Sequence, residues 1–200
     1  MQNESSTEIS IDDIADLNVT RRLPKGTKAC YVGMADLPTR GAFPTGWSYE
    51  EYSGGMKFVN GDTIVARITP CLENGKTAFV NFLEDGDIGF GSTEYIVLTP
   101  KEGIPAPFLY CLARNDAFRD YAIKNMNGSS GRQRVTATTI GQYKLMLPDT
   151  EALNKFAVMA ESMYAQIGRN GFENRRLATV RDALLPRLMS GELDVSNIEI

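Results

Sequence analysis

The segment from Asp149 to Glu192 constrains the fold more than any other part of the chain. Leu153, Phe156, Ala160, Met163 and Ile167 follow one another at spacings of 3, 4, 3 and 4 residues. That is the a/d seam of a coiled coil. Asp149 or Thr150 can cap its start. Asn170 and Gly171 interrupt the pattern, and Leu177, Val180, Leu184 and Leu188 restore it at spacings of 3, 4 and 4 before Gly191. The break reads as a kink, a stutter or a short bend between two helices. A straight helix of about 40 residues is roughly 60 Å long at 1.5 Å per residue, far longer than a small domain needs. Such a helix projects from its domain or packs on something outside it. The competing expectation is two ordinary helices folded back onto the core.

Upstream the pattern is different. Residues 1–9 read as a loose polar lead, and Ile9 to Val19 as a short helix or an extended stretch. Ala29–Met34, Thr63–Ile68, Thr77–Phe82, Glu94–Leu98 and Tyr143–Leu147 are short apolar runs bounded by Gly, Asp or Pro, which predicts strands. Residues 38–56, "PTRGAFPTGWSYEEYSGGM", read as one long loop, pinned to the core by its aromatics or held ready for a partner. Between Ile104 and Asn125 the period lengthens, and Phe108, Leu109, Leu112, Phe118, Tyr121 and Ala122 suit a helix. Short mixed strands with one helical interruption predict an α+β domain over residues 10–148 with a mixed sheet. The long helix, or kinked pair, then covers 149–192, and 193–200 is a tail.

Several functions are excluded by what the chain lacks. It has no histidine, which removes Ser-His-Asp and Cys-His catalysis and most transition-metal chemistry. Cys30, Cys71 and Cys111 form no C-x-x-C pair, so neither a zinc site nor a disulfide framework is expected and Cys71 is assigned to packing. No apolar run reaches the ~18 residues of a membrane span, and no secretory leader is evident, so a cytoplasmic location is expected. The net charge of −4 gives no global signature of nucleic-acid binding. From Arg119 to Lys144, however, five positive side chains face one negative one. A local patch of that kind can bind phosphate.

The stretch "ARITPCLENGKTAFV", residues 66–80, places a cysteine, a carboxylate and a lysine on one tight loop. A restriction-type nuclease would need two carboxylates and a lysine around Mg²⁺ on one strand face. Asp62, Glu73 and Lys76 offer the residue types, but the E-x-x-K spacing puts Glu73 and Lys76 on opposite faces, and Pro70, Asn74 and Gly75 indicate a turn. No glycine-rich cofactor fingerprint and no Asn-Pro-Pro tetrapeptide supports a methyltransferase. Binding remains. Asn74, Gly75 and Lys76 form a turn suited to exposing backbone N–H groups beside a cation. Ser129, Ser130, Arg132, Gln133 and Arg134 form a second loop, with hydroxyls for phosphate and with Arg and Gln forks that can read base edges. Arg67 can reach DNA or pair with Glu94 across neighbouring strands. The loop around Trp47 is a further candidate for sequence readout.

Five segments carry a family resemblance: "GDTIVARITPCLENGKTAFV", "GFGSTEYIVLTP", "FLYCLARNDAF", "GSSGRQRVTATTIGQYKLMLPD" and "LATVRDALLPRLMSGEL". In this order they resemble the specificity (S) subunit of type I restriction–modification systems, over nearly the whole chain from about residue 10. The resemblance implies a target recognition domain over 10–148 that binds double-stranded DNA and a spacer helix over 149–192. It implies no chemistry and no cofactor in this chain. S-adenosylmethionine would belong to a partner methyltransferase subunit, which methylates adenine within a bipartite site, and a restriction subunit would join for cleavage. An S subunit usually has two such domains and two helices, and would be about twice this length. The chain therefore reads as a natural half-subunit, a gene fragment or a truncated form. A lone a/d seam cannot bury itself, so a homodimer with an isologous helix interface is expected. Arg169, Arg175, Arg176, Arg181 and Arg187 would face the methyltransferase. Two alternatives stand beside this reading: a Mg²⁺-dependent nuclease-like domain, and a coiled-coil adaptor with no DNA role.

Overall fold

The computed structural model describes residues 7–129 and 131–193. The chain begins with β1 (Thr7–Ser10), a single turn α1 (Ile11–Ile14) and β2 (Ala15–Leu17). It continues through β3 (Lys28–Val32), β4 (Ser48–Glu51), β5 (Met56–Phe58), β6 (Thr63–Ala66), β7 (Thr77–Phe79), β8 (Gly89–Gly91) and β9 (Tyr95–Pro100). Three helices follow, α2 (Ala106–Arg114), α3 (Asp116–Lys124) and α4 (Ala137–Gly141), before β10 (Lys144–Leu147) and α5 (Thr150–Met189).

Two four-stranded sheets carry the domain. One is antiparallel in the order β2-β9-β6-β7, and the other runs β4-β3-β8-β5 with β3 and β8 parallel. β1 pairs with β10, so the start of the chain is stitched to the strand just before the long helix. That corrects the expectation of a loose lead, because Thr7 to Ile9 lie in a strand. One core cluster joins α1, α2, α3 and α4 to β6 and β9 through Ile11, Val65, Ile96, Leu109, Phe118 and Ile140. A second lies between the two sheets around Val32, Phe58, Ile64, Val80, Tyr95 and Val97. The two clusters take alternate residues of β6 and β9, the period-2 pattern of a strand buried on both faces.

Other expectations also change. The loop over 38–56 contains β4, which pairs with β3. β5, β8 and α4 have no counterpart among the predicted elements. β8 reads Gly-Phe-Gly because its neighbours leave no room: a Cβ on Gly89 would overlap the Phe58 ring and one on Gly91 the Tyr95 ring. The helix expected between Ile104 and Asn125 is two. Asn115 ends α2, and its side chain accepts from the N–H groups of Ala117 and Phe118 to start α3.

The C-terminal segment is one continuous 40-residue helix, α5, capped by the Asp149 side chain at the Ala152 N–H. It does not divide into two at Asn170-Gly171. Its first half docks on the domain: Leu153 and Ala160 are buried, Phe156 meets Phe108, and Tyr164 packs edge-on against Phe79 and Tyr110. Gly168 and Gly171 let the backbone approach Asn81 and the Phe43 ring, where any Cβ would collide. Phe172 completes an aromatic cage with Phe43 and Trp47, and the Arg175 guanidinium lies 3.6 Å over the Trp47 ring. Beyond Arg175, Leu177, Val180, Leu184 and Leu188 are all exposed. That free length, from Arg176 to Met189, is roughly 20 Å. Among the described residues no helix is long and apolar enough to cross a membrane.

Candidate nucleic-acid interface

The strand that leads into the first polar loop meets the second, far away in sequence. β6 ends at Ala66, and Arg67 to Thr69 continue alongside residues 133–135. The Val135 N–H donates to the Arg67 carbonyl at 3.0 Å, and the Thr69 N–H to the Gln133 carbonyl at 3.0 Å. The second loop is itself a hairpin, closed by reciprocal 2.9 Å bonds between Asn127 and Arg134. Its tip is turned by Gly128 and Gly131, both at positive φ, and by the Arg132 N–H donating to Ser129 O. Ser129 and Arg132 are exposed there, and Gln133 is half-buried. Ser130 lies outside the described residues.

The arginines of this edge differ in how they are engaged. Arg134 grips Glu94, with Nε 3.0 and 2.9 Å from its two carboxylate oxygens and Nη2 2.7 Å from Oε1. Its Nη1 donates to the Arg132 carbonyl at 3.0 Å. Glu94 therefore pairs with Arg134, not with Arg67 across the strands. The Arg134 hydrogen bonds hold the Glu94 carboxyl below its ordinary range, burial opposes them, and the Arg134 and Arg67 charges add to the lowering. Hydrogen bonding to Glu94 raises Arg134 in turn. Arg67 is the contrast: its Nε is buried and has no partner among the described residues.

The Cys71–Lys76 turn is not the anion cradle expected from sequence. Its N–H groups are occupied internally: Asn74 donates to Pro70 O, Gly75 to Leu72 O and Lys76 to Cys71 O. Lys76 is half-buried, with Nζ donating to the carbonyls of Met34 at 2.6 Å and Ala35 at 3.4 Å. Two arginines clamp the turn from α2 and α3: Arg114, which the sequence reading did not name, and Arg119, which it counted only in the basic stretch. Arg114 donates to Gly75 O and Thr39 O, and Arg119 to Glu73 O. Gly75, at φ 69°, sits buried beneath both guanidiniums. A basic residue near the end of a helix is the signal that could have found Arg114, since such side chains reach free carbonyls.

Within the loop proposed for readout, Trp47 itself is half-buried and structural, while Ser48 and Tyr49 are exposed. Trp47 stacks on Phe82 at 5.2 Å and carries Arg175 on its other neighbourhood, which makes it an anchor for α5. The nuclease arrangement does not form around Asp62. That carboxylate is buried and accepts from Arg21, Thr99 Oγ1 and the Val59 N–H. Among the described residues no group of three or more side chains could hold a metal ion. On α5, the side chains of Arg169, Arg176, Arg181 and Arg187 pair at short range among the described residues, with Gln166, Glu173, Asp182 and Glu192.

Comparison with known proteins points one way. A family model described as the type I restriction modification DNA specificity domain matches residues 3–167. The chain is 39% identical over 83 residues to the type I restriction enzyme EcoAI specificity subunit of Escherichia coli, covering 41% of this chain and 14% of that protein. It is 26% identical over 96 residues to the HindI specificity subunit of Haemophilus influenzae, covering 48% and 21%. Among solved structures, the HsdS subunit from Thermoanaerobacter tengcongensis superposes with a TM-score of 0.58 at 19% identity, over 98% of this chain and 51% of that one. A type I S subunit from M. genitalium gives 0.56 at 18%, over 92% and 45%. The chain thus spans about half the length of these solved relatives and shares their fold, a mixed α+β domain with a long C-terminal helix.

Proposed function

The chain belongs to the family of type I restriction–modification DNA specificity domains, and we propose that it reads one half of a bipartite site in double-stranded DNA. In this reading it performs no chemistry and acts in the cytoplasm. It holds DNA for a methyltransferase subunit that carries S-adenosylmethionine and methylates adenine, and a restriction subunit can join that assembly for cleavage. The observation that carries the proposal is the convergence of Arg67 with the Ser129–Gln133 tip at one edge. The buried Arg67 Nε is without a partner among the described residues, and Arg132 stands exposed beside a half-buried Gln133. Arg and Gln forks suit guanine and adenine edges, while Ser129 and Arg132 suit phosphates.

A second copy of the chain is the partner proposed for the exposed part of α5. Leu177, Val180, Leu184 and Leu188 are between 39% and 55% exposed, on a helix whose docked face lies elsewhere. Two such stripes packed antiparallel would bury each other and give a symmetric dimer. The test is adenine-methylation sequencing of DNA from cells that co-express this chain with its methyltransferase, against cells lacking the chain. A chain-dependent, two-part motif with palindromic halves is the expected result. A soluble, co-purifying pair that methylates no chain-dependent motif would overturn the proposal.

A further inference from the structure

Glu94 is the junction through which the recognition edge is tied to the sheet. It immediately precedes β9, and both of its backbone groups are fixed: its N–H donates to Ser92 Oγ at 3.1 Å, and its carbonyl accepts the Arg67 N–H at 3.0 Å. Its carboxylate takes Nε and Nη2 of Arg134, whose Nη1 reaches the Arg132 carbonyl. One chain of contacts therefore runs from β9 through two side chains to the backbone of the hairpin tip. Otherwise the described residues of the tip are held by backbone bonds alone, between Asn127 and Arg134, from Arg132 to Ser129 and from Thr69 to Gln133. Ser129, Gly131 and Arg132 are exposed, and two glycines at positive φ flank it. Segments with few buried contacts open at low free-energy cost unless braced. A fork-to-fork arginine–carboxylate pair is a directional brace of that kind.

The pair also divides the labour between two arginines. All three nitrogens of Arg134 are engaged within the protein, which makes it a strut. Arg67 is close enough for its charge to lower Glu94, yet its buried Nε has no partner among the described residues. We propose that Glu94 is a positioning residue for DNA discrimination: it touches no DNA, fixes the hairpin tip through Arg134, and leaves Arg67 as the arginine that meets a base. This rests on the DNA-recognition reading above and names the internal machinery of that same edge.

The test uses the full chain in complex with its methyltransferase. Two duplexes are compared, one carrying the methylated motif and one with the same bases scrambled. Variants are Glu94→Gln, and Arg134→Lys, which keeps the charge but loses the fork. Both should lower the ratio of specific to scrambled affinity by about tenfold, the scale of a charge-assisted hydrogen bond. Affinity for the scrambled duplex should hold or rise in Glu94→Gln, because a negative charge leaves the edge. Amide exchange should quicken at Asn127, Arg134 and Val135 and stay slow in β6 and β9. An unchanged ratio in Glu94→Gln overturns the positioning role alone. Tighter binding to both duplexes at an unchanged ratio does the same, since Glu94 would then act only as a charge. Exchange that quickens throughout β6 and β9 also overturns it, because Glu94 would be holding the fold. A wild-type complex that cannot tell the two duplexes apart overturns the recognition reading itself.

Discussion

Replacing Gly171 by alanine sets two physical effects against each other with opposite signs. In a helix interior the change from Gly to Ala gains roughly 1 kcal/mol from backbone entropy alone. Here the added methyl meets the Phe43 ring. That ring is wedged, with centroids 5.7 Å from Trp47, 5.9 Å from Phe82 and 5.6 Å from Phe172. Moving it sacrifices aromatic contacts of about 0.5–1.5 kcal/mol each, within an overpacking cost of about 1–3 kcal/mol. The sum is a net destabilisation of about 1 kcal/mol. Urea unfolding reads it directly, because Trp47 is the chain's only tryptophan and sits in the cage. The urea midpoint should fall in Gly171→Ala and rise in Asn174→Ala, an exposed position where propensity alone should gain about 0.5 kcal/mol. A Gly171→Ala midpoint above wild type would refute the reasoning, for the glycine would then be a mere weakness in the helix and the docking of α5 on Phe43 would be wrong.

Three further outcomes follow from the same geometry. Leu184→Asp removes about 2 kcal/mol of apolar burial from each helix of a symmetric pair. Sedimentation equilibrium should then show a dimer dissociation constant raised by roughly a thousandfold; wild type that sediments as a monomer would remove the dimer. The depressed Glu94 pKa contributes stability that is complete above the ordinary value of 4.5 and disappears as pH falls through the lower folded value. The gap in urea midpoint between wild type and Glu94→Gln should therefore shrink below pH 4.5, and a gap constant with pH would contradict the pairing. Cys30 is buried and its thiol is pushed up to about 11 by that burial, while Cys111 is exposed. Iodoacetamide at neutral pH should alkylate Cys111 first, by peptide mass, and equal labelling of Cys30 would show that β3 opens readily.

Much of the fold was legible because alternation and spacing are local. β6, β9 and β10 stand close to where apolar runs predict them. β4, β5 and β8 were not legible, and β8 shows why. Gly89 and Gly91 bring no apolar signal of their own; the rings of Phe58 and Tyr95 fill the space over them. Their strand character belongs to residues 31 and 4 positions away. Glycine likewise misled the reading of α5, where Asn170-Gly171 looks like a break in isolation and is a point of close approach once Phe43 stands against it. At the candidate interface the sequence shows polar residues but not the partners that occupy them. Lys76 looked free until Met34 and Ala35 supplied carbonyls. Arg134 looked like a reader until Glu94, forty residues earlier, claimed it.

The seam on α5 contains a geometric conflict that clarifies what the helix is for. Leu153 and Leu188 are five heptads apart. On a helix of 3.6 residues per turn, a seven-residue repeat drifts by about 20° per heptad, so the stripe rotates by roughly 100° between them. One flat partner cannot cover both ends of a stripe that turns so far. Its early members, Leu153, Phe156 and Ala160, face the chain's own domain. Met163 is already 63% exposed, and the later members, from Leu177 to Leu188, all stand free. The contacts that fasten the helix to the domain shift instead to Tyr164, Gly168, Gly171, Phe172 and Arg175. Of these, Tyr164, Gly171 and Arg175 stay aligned with Leu153 by a 3.6-residue count, and Gly168 and Phe172 widen the face to one side. Two periodicities are therefore superposed in one helix. The 3.6-residue face holds the domain, and the later apolar residues, Leu177 to Leu188, stand free between a quarter and a half turn away, where the proposed dimer would place a second helix. That arrangement lets a single 40-residue element dock on its own domain through one set of side chains and leave another set free for the proposed dimer.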